Sequence, residues 1–193
     1  MVKQKLGILI SGRGSNMLAI ARACETGELD AEIALVLSNR VDAAGIGAAN
    51  DMGIETAVID HAAFSSREAF DNALRARLEQ VNPDWIVLAG FMRILGKNFV
   101  NRWQGRIVNI HPSLLPLYPG LNTHQRAIQA GDKEAGASVH LVTPELDAGA
   151  VVKQCRVPIL PTDTPETLAS RVIEKEHLLY VDALKQCVSN TAR

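Results

Sequence analysis

Short apolar runs bounded by Gly, Asn or Pro recur along the first two thirds of the chain, at 5–10, 33–38, 56–59, 85–89 and 107–110. Runs of this length, apolar on consecutive positions, suit strands covered on both faces. Between them lie stretches with helical spacing at 16–25, 43–52, 66–81 and 96–103, the second stopped by Gly53. The third begins at Ser65, Ser66, Arg67 and Glu68, a spacing that predicts a capping box with Ser65 as the N-cap. Strands alternating with helices predict right-handed crossovers and a parallel sheet. After Asn109 the pattern changes to a proline-rich loop, a short helix at 123–130, and strand-like runs at 138–142 and 151–159 joined near Asp147, Ala148 and Gly149. A long helix then runs from Thr164 to Val188, with Thr164 as N-cap and Pro165 at its first position. The expected fold class is α/β: a single domain over 1–193, built on a Rossmann-like, mostly parallel twisted sheet of about seven strands with helices on both faces.

Composition narrows the chemistry. A chain of 193 residues with 47% hydrophobic and 21% charged residues can bury a core by itself and is not compositionally disordered. Its 20 basic and 21 acidic residues leave a formal net charge of −1, so no broad field gathers nucleic acid or an anionic membrane; any anion site is local. Cys24, Cys155 and Cys187 form no CxxC pair, which argues against a disulfide framework or structural zinc and for a reducing, cytoplasmic setting. The uncharged stretch 107–125 contains Pro112, Pro116 and Pro119 and reads as a loop-rich segment, not a membrane span. Either a monomer or a homodimer is compatible with these features.

Two motifs carry chemistry. The first predicted strand ends in Ser11-Gly-Arg-Gly-Ser-Asn16 before a helix, an arrangement in which glycines allow close backbone approach and free N–H groups face an anion. A dinucleotide turn would need a third glycine where Met17 stands, and the second strand ends in Ser38, Asn39 and Arg40 with no acidic residue for a ribose. A single phosphate is favoured over a dinucleotide, while a purely structural strand-to-helix turn stays open. The second motif is the strand 106–111. Asn109 and His111 point to one side of it with Cα atoms roughly 6 to 7 Å apart. An amide that stabilises an oxyanion and an imidazole that shuttles a proton would meet there, or a hydrogen-bonded pair would merely close the loop. Ser113 lacks a nucleophile-elbow context, and the five histidines form neither HxH nor HExxH pairs, so covalent and metal chemistry are both disfavoured.

These segments, together with Leu88-Ala-Gly-Phe-Met-Arg-Ile-Leu95, Asn109-Ile-His-Pro-Ser-Leu-Leu-Pro116 and Glu145-Leu-Asp-Ala-Gly149, resemble the glycinamide ribonucleotide formyltransferase family along nearly the whole chain. The resemblance implies formyl transfer from 10-formyltetrahydrofolate as co-substrate, with no tightly bound cofactor and no metal. It implies that Gly14, Ser15 and Asn16 hold the phosphate of glycinamide ribonucleotide and that Glu176 holds its amine end. Folate would meet Met92, Arg93, Ile94, Leu95, Asn109, Thr143 and Glu145, with Arg67 at its benzoylglutamate tail. Asn109 and His111 would flank the formyl carbon, and Asp147 would orient and charge His111. By the same resemblance, 1–105 forms a ribonucleotide-binding half and 106–193 a folate-binding and catalytic half. Glu176 also interrupts the apolar stripe of Val172, Ile173, Leu179 and Tyr180, where a carboxylate needs a partner or a route to water. Asp147 by itself is equally a turn residue. Asn122 stands where the family often carries a histidine. A formyltetrahydrofolate hydrolase, another formyl-folate-dependent transferase and a non-catalytic nucleotide- or folate-binding protein remain the alternatives.

Overall fold

The computed structural model describes residues 3–191. Among these residues, β1 (Gln4–Ile10), β2 (Ala31–Ser38), β3 (Thr56–Val58), β4 (Trp85–Leu88), β5 (Ile107–His111), β6 (Glu134–Leu141) and β7 (Val151–Pro158) form one sheet in the order β3-β2-β1-β4-β5-β6-β7. The pairings from β3 through β5 are parallel, whereas β6 runs antiparallel to β5 and β7 antiparallel to β6. The helices are α1 (Ser15–Glu25), α2 (Ala44–Asp51), α3 (Arg67–Val81), α4 (Lys97–Arg102), α5 (Thr123–Ala130) and α6 (Pro165–Thr191).

The consecutive apolar runs are explained by two cores, one on each face. On β1, Leu6, Ile8 and Ile10 join the core that includes α1 and α6, while Leu9 joins the core beneath α3 and α4. Gly7 lies on the second face, where a Cβ would come within 2.9 Å of Leu78 Cδ2; its absence lets α3 sit close to the sheet. Tyr180 of α6 is fully buried, and its hydroxyl lies 3.0 Å from the Leu88 carbonyl and 3.2 Å from that of Val108. That contact satisfies the phenol and anchors α6 against the carboxyl end of β4 and the start of β5.

Three local expectations change. The N-cap of α3 is Ser66, whose hydroxyl accepts from Ala69 N–H at 3.1 Å, so Glu68 falls at the second helical position and the predicted reciprocal capping box does not form. Strand β6 begins at Glu134, four residues before the predicted start. Its leading Glu134, Ala135, Gly136 and Ala137 have weak strand propensity, but each pairs with β7, and cross-strand pairing outweighs propensity. The last helix continues to Thr191, while its predicted start holds: Thr164 Oγ1 accepts from Thr167 N–H at 3.3 Å.

Strand order reverses between β1 and β4, with β2 and β3 on one side and β5 onward on the other. In open α/β sheets the crevice at the carboxyl ends of strands beside such a switch is where ligands bind. The loops after β1 and β4 flank that crevice, and β5 delivers Asn109 and His111 next to it.

Candidate active site at the carboxyl edge of the sheet

The loop after β1 turns into α1 through Gly14, which has φ +74°, and the helix starts without a side-chain cap. Its first-turn N–H groups are therefore available to an anion. A side chain at Gly14 would be strained by this φ and would press on Gly45 Cα and Met17 Cε, both at 3.1 Å. Ser15 is half-buried and Asn16 buried. Asn16 Nδ2 donates to Glu176 Oε2 at 2.8 Å, joining the start of α1 to α6. Asn16 Oδ1 is buried with no hydrogen-bond partner among the described residues. Burial pushes the Glu176 carboxyl up from its ordinary value, against the opposing pull of the Asn16 bond.

Beside this loop lies a cleft of about 390 Å³, walled by the segment after β4, the end of β5 and the loops around residues 120 and 145. Met92, Ile94, Leu121 and Leu146 give it exposed apolar surface, and Arg93, Leu95, Thr143 and Glu145 also line it. Such surface, with a few convergent polar groups, suits a flat heteroaromatic ligand.

The polar groups converge on one wall. Asn109 and His111 occupy the same face of β5, opposite Ile110 in the core, as strand alternation requires. His111 is 6% exposed; its Nδ1 lies 3.4 Å from Asp147 Oδ2 and its Nε2 2.9 Å from the Tyr118 carbonyl. Because a carbonyl only accepts, Nε2 carries a proton in this contact. Asp147 has φ +50° and accepts from Gly120 N–H at 2.9 Å. Burial works against its ionisation, but the Gly120 N–H and the His111 ring hold its carboxyl below the usual range, His140 lying 3.6 Å away and closer to Asn109. The ionised carboxylate in turn stabilises positive charge on an imidazole beside it.

The proline-rich loop is tied down at several points. Ser138 Oγ donates to Ser113 O at 2.6 Å and accepts from Leu115 N–H, Gln154 Nε2 reaches Leu115 O at 2.8 Å, and Arg126 Nη1 reaches Pro119 O at 2.7 Å. Asn122 adopts φ +58° at the start of α5 and lines the cleft, a conformation asparagine tolerates better than most residues. Ser11 links the two parts of the site: its buried hydroxyl donates to Asn39 Oδ1 at 2.5 Å and accepts from Met92 N–H at 2.7 Å. The phosphate-loop strand and the Met92 segment are thus joined by one side chain.

The structure therefore brings Met92, Arg93, Ile94, Leu95, Asn109, His111, Thr143, Glu145 and Asp147 into one cleft, with residues from both sides of position 105. Asn16 and Glu176 form a separate buried pair across the chain. Arg67 lies outside the cleft, in an adjoining hollow with Asp71, Arg75, Gly96 and Lys97. Sequence reading missed His140 and Ser11. His140 sits directly opposite Asn109 in the β5–β6 register, a relation visible only once the strands are paired. Ser11 opens the glycine loop, but nothing local marks it as a bridge. Among the described residues, no three His, Cys, Asp or Glu side chains are grouped to hold a metal ion.

The chain is similar to known proteins along most of its length. A family described as formyl transferase matches residues 4–184. The phosphoribosylglycinamide formyltransferase of Escherichia coli strain K12 is 48% identical over 173 residues, covering 90% of this chain and 82% of that protein. The Haemophilus influenzae protein of the same name is 46% identical, covering 94% and 86%. The crystal structure of phosphoribosylglycinamide formyltransferase from Brucella melitensis superposes with a TM-score of 0.91 at 49% identity, covering 96% of this chain and 95% of that one. Glycinamide ribonucleotide transformylase 1 from Symbiobacterium toebii gives a TM-score of 0.95 at 40% identity, covering 97% and 89%. With a match across nearly its full length and relatives well above 30% identity, this chain belongs to the formyl transferase family.

Proposed function

We propose that this protein transfers the formyl group of 10-formyltetrahydrofolate to the amine of 5'-phosphoribosylglycinamide, giving formylglycinamide ribonucleotide and tetrahydrofolate in purine synthesis. The observation that carries the reading is the grouping of an amide, an imidazole and a carboxylate, Asn109, His111 and Asp147, on one wall of an apolar cleft, in a fold with an uncapped helix start after β1. Met92, Ile94 and Leu95 offer the bicyclic ring an apolar bed, with Arg93, Thr143 and Glu145 at its rim. The benzoylglutamate tail would run toward Arg67 in the adjoining hollow. Gly14, Ser15 and Asn16 would take the phosphate of the ribonucleotide. Its amine end would meet Glu176 and the unpartnered Asn16 Oδ1, two acceptors suited to N–H donors.

In this reading the neutral amine attacks the formyl carbon, forming a new C–N bond and a tetrahedral oxyanion. Asn109 and protonated His111 hold that oxyanion, and Asp147 stabilises the imidazolium. Collapse breaks the bond to N10 of the folate, which takes a proton from His111, and the proton shed by the attacking nitrogen restores the imidazolium. Proton delivery exchanges the Nε2 contact with Tyr118 for one with substrate, so the 112–122 loop moves during turnover.

Incubating the protein with both substrates tests the reaction: tetrahydrofolate and formylated ribonucleotide should appear in equal amounts. Tetrahydrofolate release without ribonucleotide would identify a hydrolase, and binding without release a non-catalytic protein. A further expected result concerns Glu176. A buried carboxyl with a raised folded-state pKa stabilises the fold while protonated, and that stability is lost as pH rises through the folded value. Glu176→Gln keeps an acceptor for Asn16 without the charge. It should therefore melt above the parent at pH 7, with the gap closing as pH falls, while ribonucleotide affinity drops about 10- to 100-fold. Calorimetric melting and titration with the ribonucleotide measure the two effects; a variant that melts lower at pH 7 but binds normally would remove Glu176 from the site.

A further inference from the structure

The triad leaves one buried titratable group in the same cleft without a role. His140 is 2% exposed, lines the cleft and faces Asn109 across the β5–β6 ladder. Its Nδ1 lies 2.9 Å from the Leu141 carbonyl and its Nε2 3.2 Å from Asn109 Nδ2. The charged or titratable groups facing it are Asp147, whose Oδ1 is 3.6 Å from Nε2, and, beyond that carboxylate, His111. Strand β7 faces it with the apolar Val151 in register.

A carbonyl accepts and never donates, so the Leu141 contact places a proton on Nδ1. The Asn109 amide nitrogen donates and never accepts, so the 3.2 Å contact leaves Nε2 as a lone pair. The two contacts together define one protonation state, the neutral ring with hydrogen on Nδ1. A second proton would put a charge inside a 2% exposed site and turn Nε2 into a donor facing a donor. It would also divide the one nearby carboxylate, Asp147, between two imidazolium rings.

We propose that His140 is a positioning residue for formyl transfer: as a neutral Nδ1–H imidazole it anchors one N–H of Asn109, aims the other at the developing oxyanion, and leaves Asp147 to His111. Nε2 lies nearer to Asn109 Nδ2, at 3.2 Å, than to Asp147 Oδ1, at 3.6 Å, so the amide is the group it can anchor. Without an acceptor at position 140, Asn109 can present its oxygen to the oxyanion instead, converting an attractive contact into a repulsive one. This inference rests on the formyl-transfer reading of the cleft.

The test pairs kinetics with a spectroscopic readout that needs no turnover. His140→Leu removes the acceptor and should lower kcat by about 10- to 100-fold, part of the loss that follows removal of an oxyanion donor, with both KM values within about threefold. His140→Gln restores an acceptor that cannot be protonated; it should recover kcat to within about fivefold of the parent. In the unaltered protein, nitrogen NMR at pH 7 should show a protonated Nδ1 and an unprotonated Nε2 for His140. Imidazolium shifts there, full kcat in His140→Leu, or equal losses in both variants would overturn the proposal. The two failures are distinct. No turnover by the unaltered protein defeats the transferase reading, whereas normal turnover with a charged His140 defeats only the role of this residue.

Discussion

Alanine at Asn109 or at His111 is expected to lower kcat by about 10²- to 10³-fold with both substrates saturating, the cost of removing one oxyanion donor from a dry site. The KM values should change little, because both groups act where charge develops and not on the resting substrates. The double variant should lose far less than the product of the two single losses, since Asn109 and His111 serve one oxyanion. Asp147 makes the pH dependence readable. Its carboxyl is held below the usual range, so its contribution to stability is present above the ordinary aspartate value and is lost only as pH falls through the depressed folded value. Protonation of Asp147 therefore does not shape the rate near neutral pH. Steady-state kinetics from pH 5 to 9 on the parent and the single variants check this. Full turnover by either alanine variant at saturation would defeat the assignment.

Gly149→Ala is expected to have the largest structural effect of any single methyl added to the site. A Cβ there would lie 1.7 Å from the Leu141 carbonyl oxygen and 3.3 Å from Thr143 Cγ2, and the obstacle is backbone, which cannot rotate away. The same carbonyl holds His140 Nδ1, and Leu141 N–H pairs with Ala150 O at 2.9 Å. The methyl therefore pushes apart the end of the β6–β7 hairpin, displaces the loop that carries Asp147, and disturbs the His140 contact. Overpacking of this severity costs about 3 kcal/mol or more, a fall of about 6 to 12 °C in melting temperature for a chain of this size. Activity at temperatures where the variant is still folded should fall as well, because Asp147 sits two residues away. Unchanged melting with normal activity would mean that the hairpin end yields freely.

Much of this site is written locally. Asn109 and His111 are two residues apart on a strand that Pro112 ends, so period-two alternation alone puts both side chains on one face at the strand's carboxyl end. The glycine loop before Ser15 is likewise local, because positive φ at Gly14 and an uncapped helix follow from residues adjacent in sequence. The cap falls on Ser66 and not Ser65 because two adjacent serines compete for the same N–H groups, and the folded backbone sets Ser66 in the extended N-cap conformation. The early start of β6 was hidden because Ala135, Gly136 and Ala137 carry no strand signal until β7 lies beside them. Gly136 itself is required by that pairing, since a Cβ would fall 1.9 Å from the Cys155 carbonyl oxygen.

The sequence by itself determined the order of strands and helices, the two buried faces of the sheet, and the amide and imidazole at the end of β5, all of which follow from neighbours within a turn or a strand. Only the tertiary structure decided that His140 faces Asn109 from 31 residues away, that Asn16 meets Glu176 across 160, and that Ser11 holds Met92. The physical reason is that hydrophobic periodicity reports which face of an element is buried and not which element covers it. Partners of buried polar groups depend on strand order and register, and these are settled by packing over the whole chain.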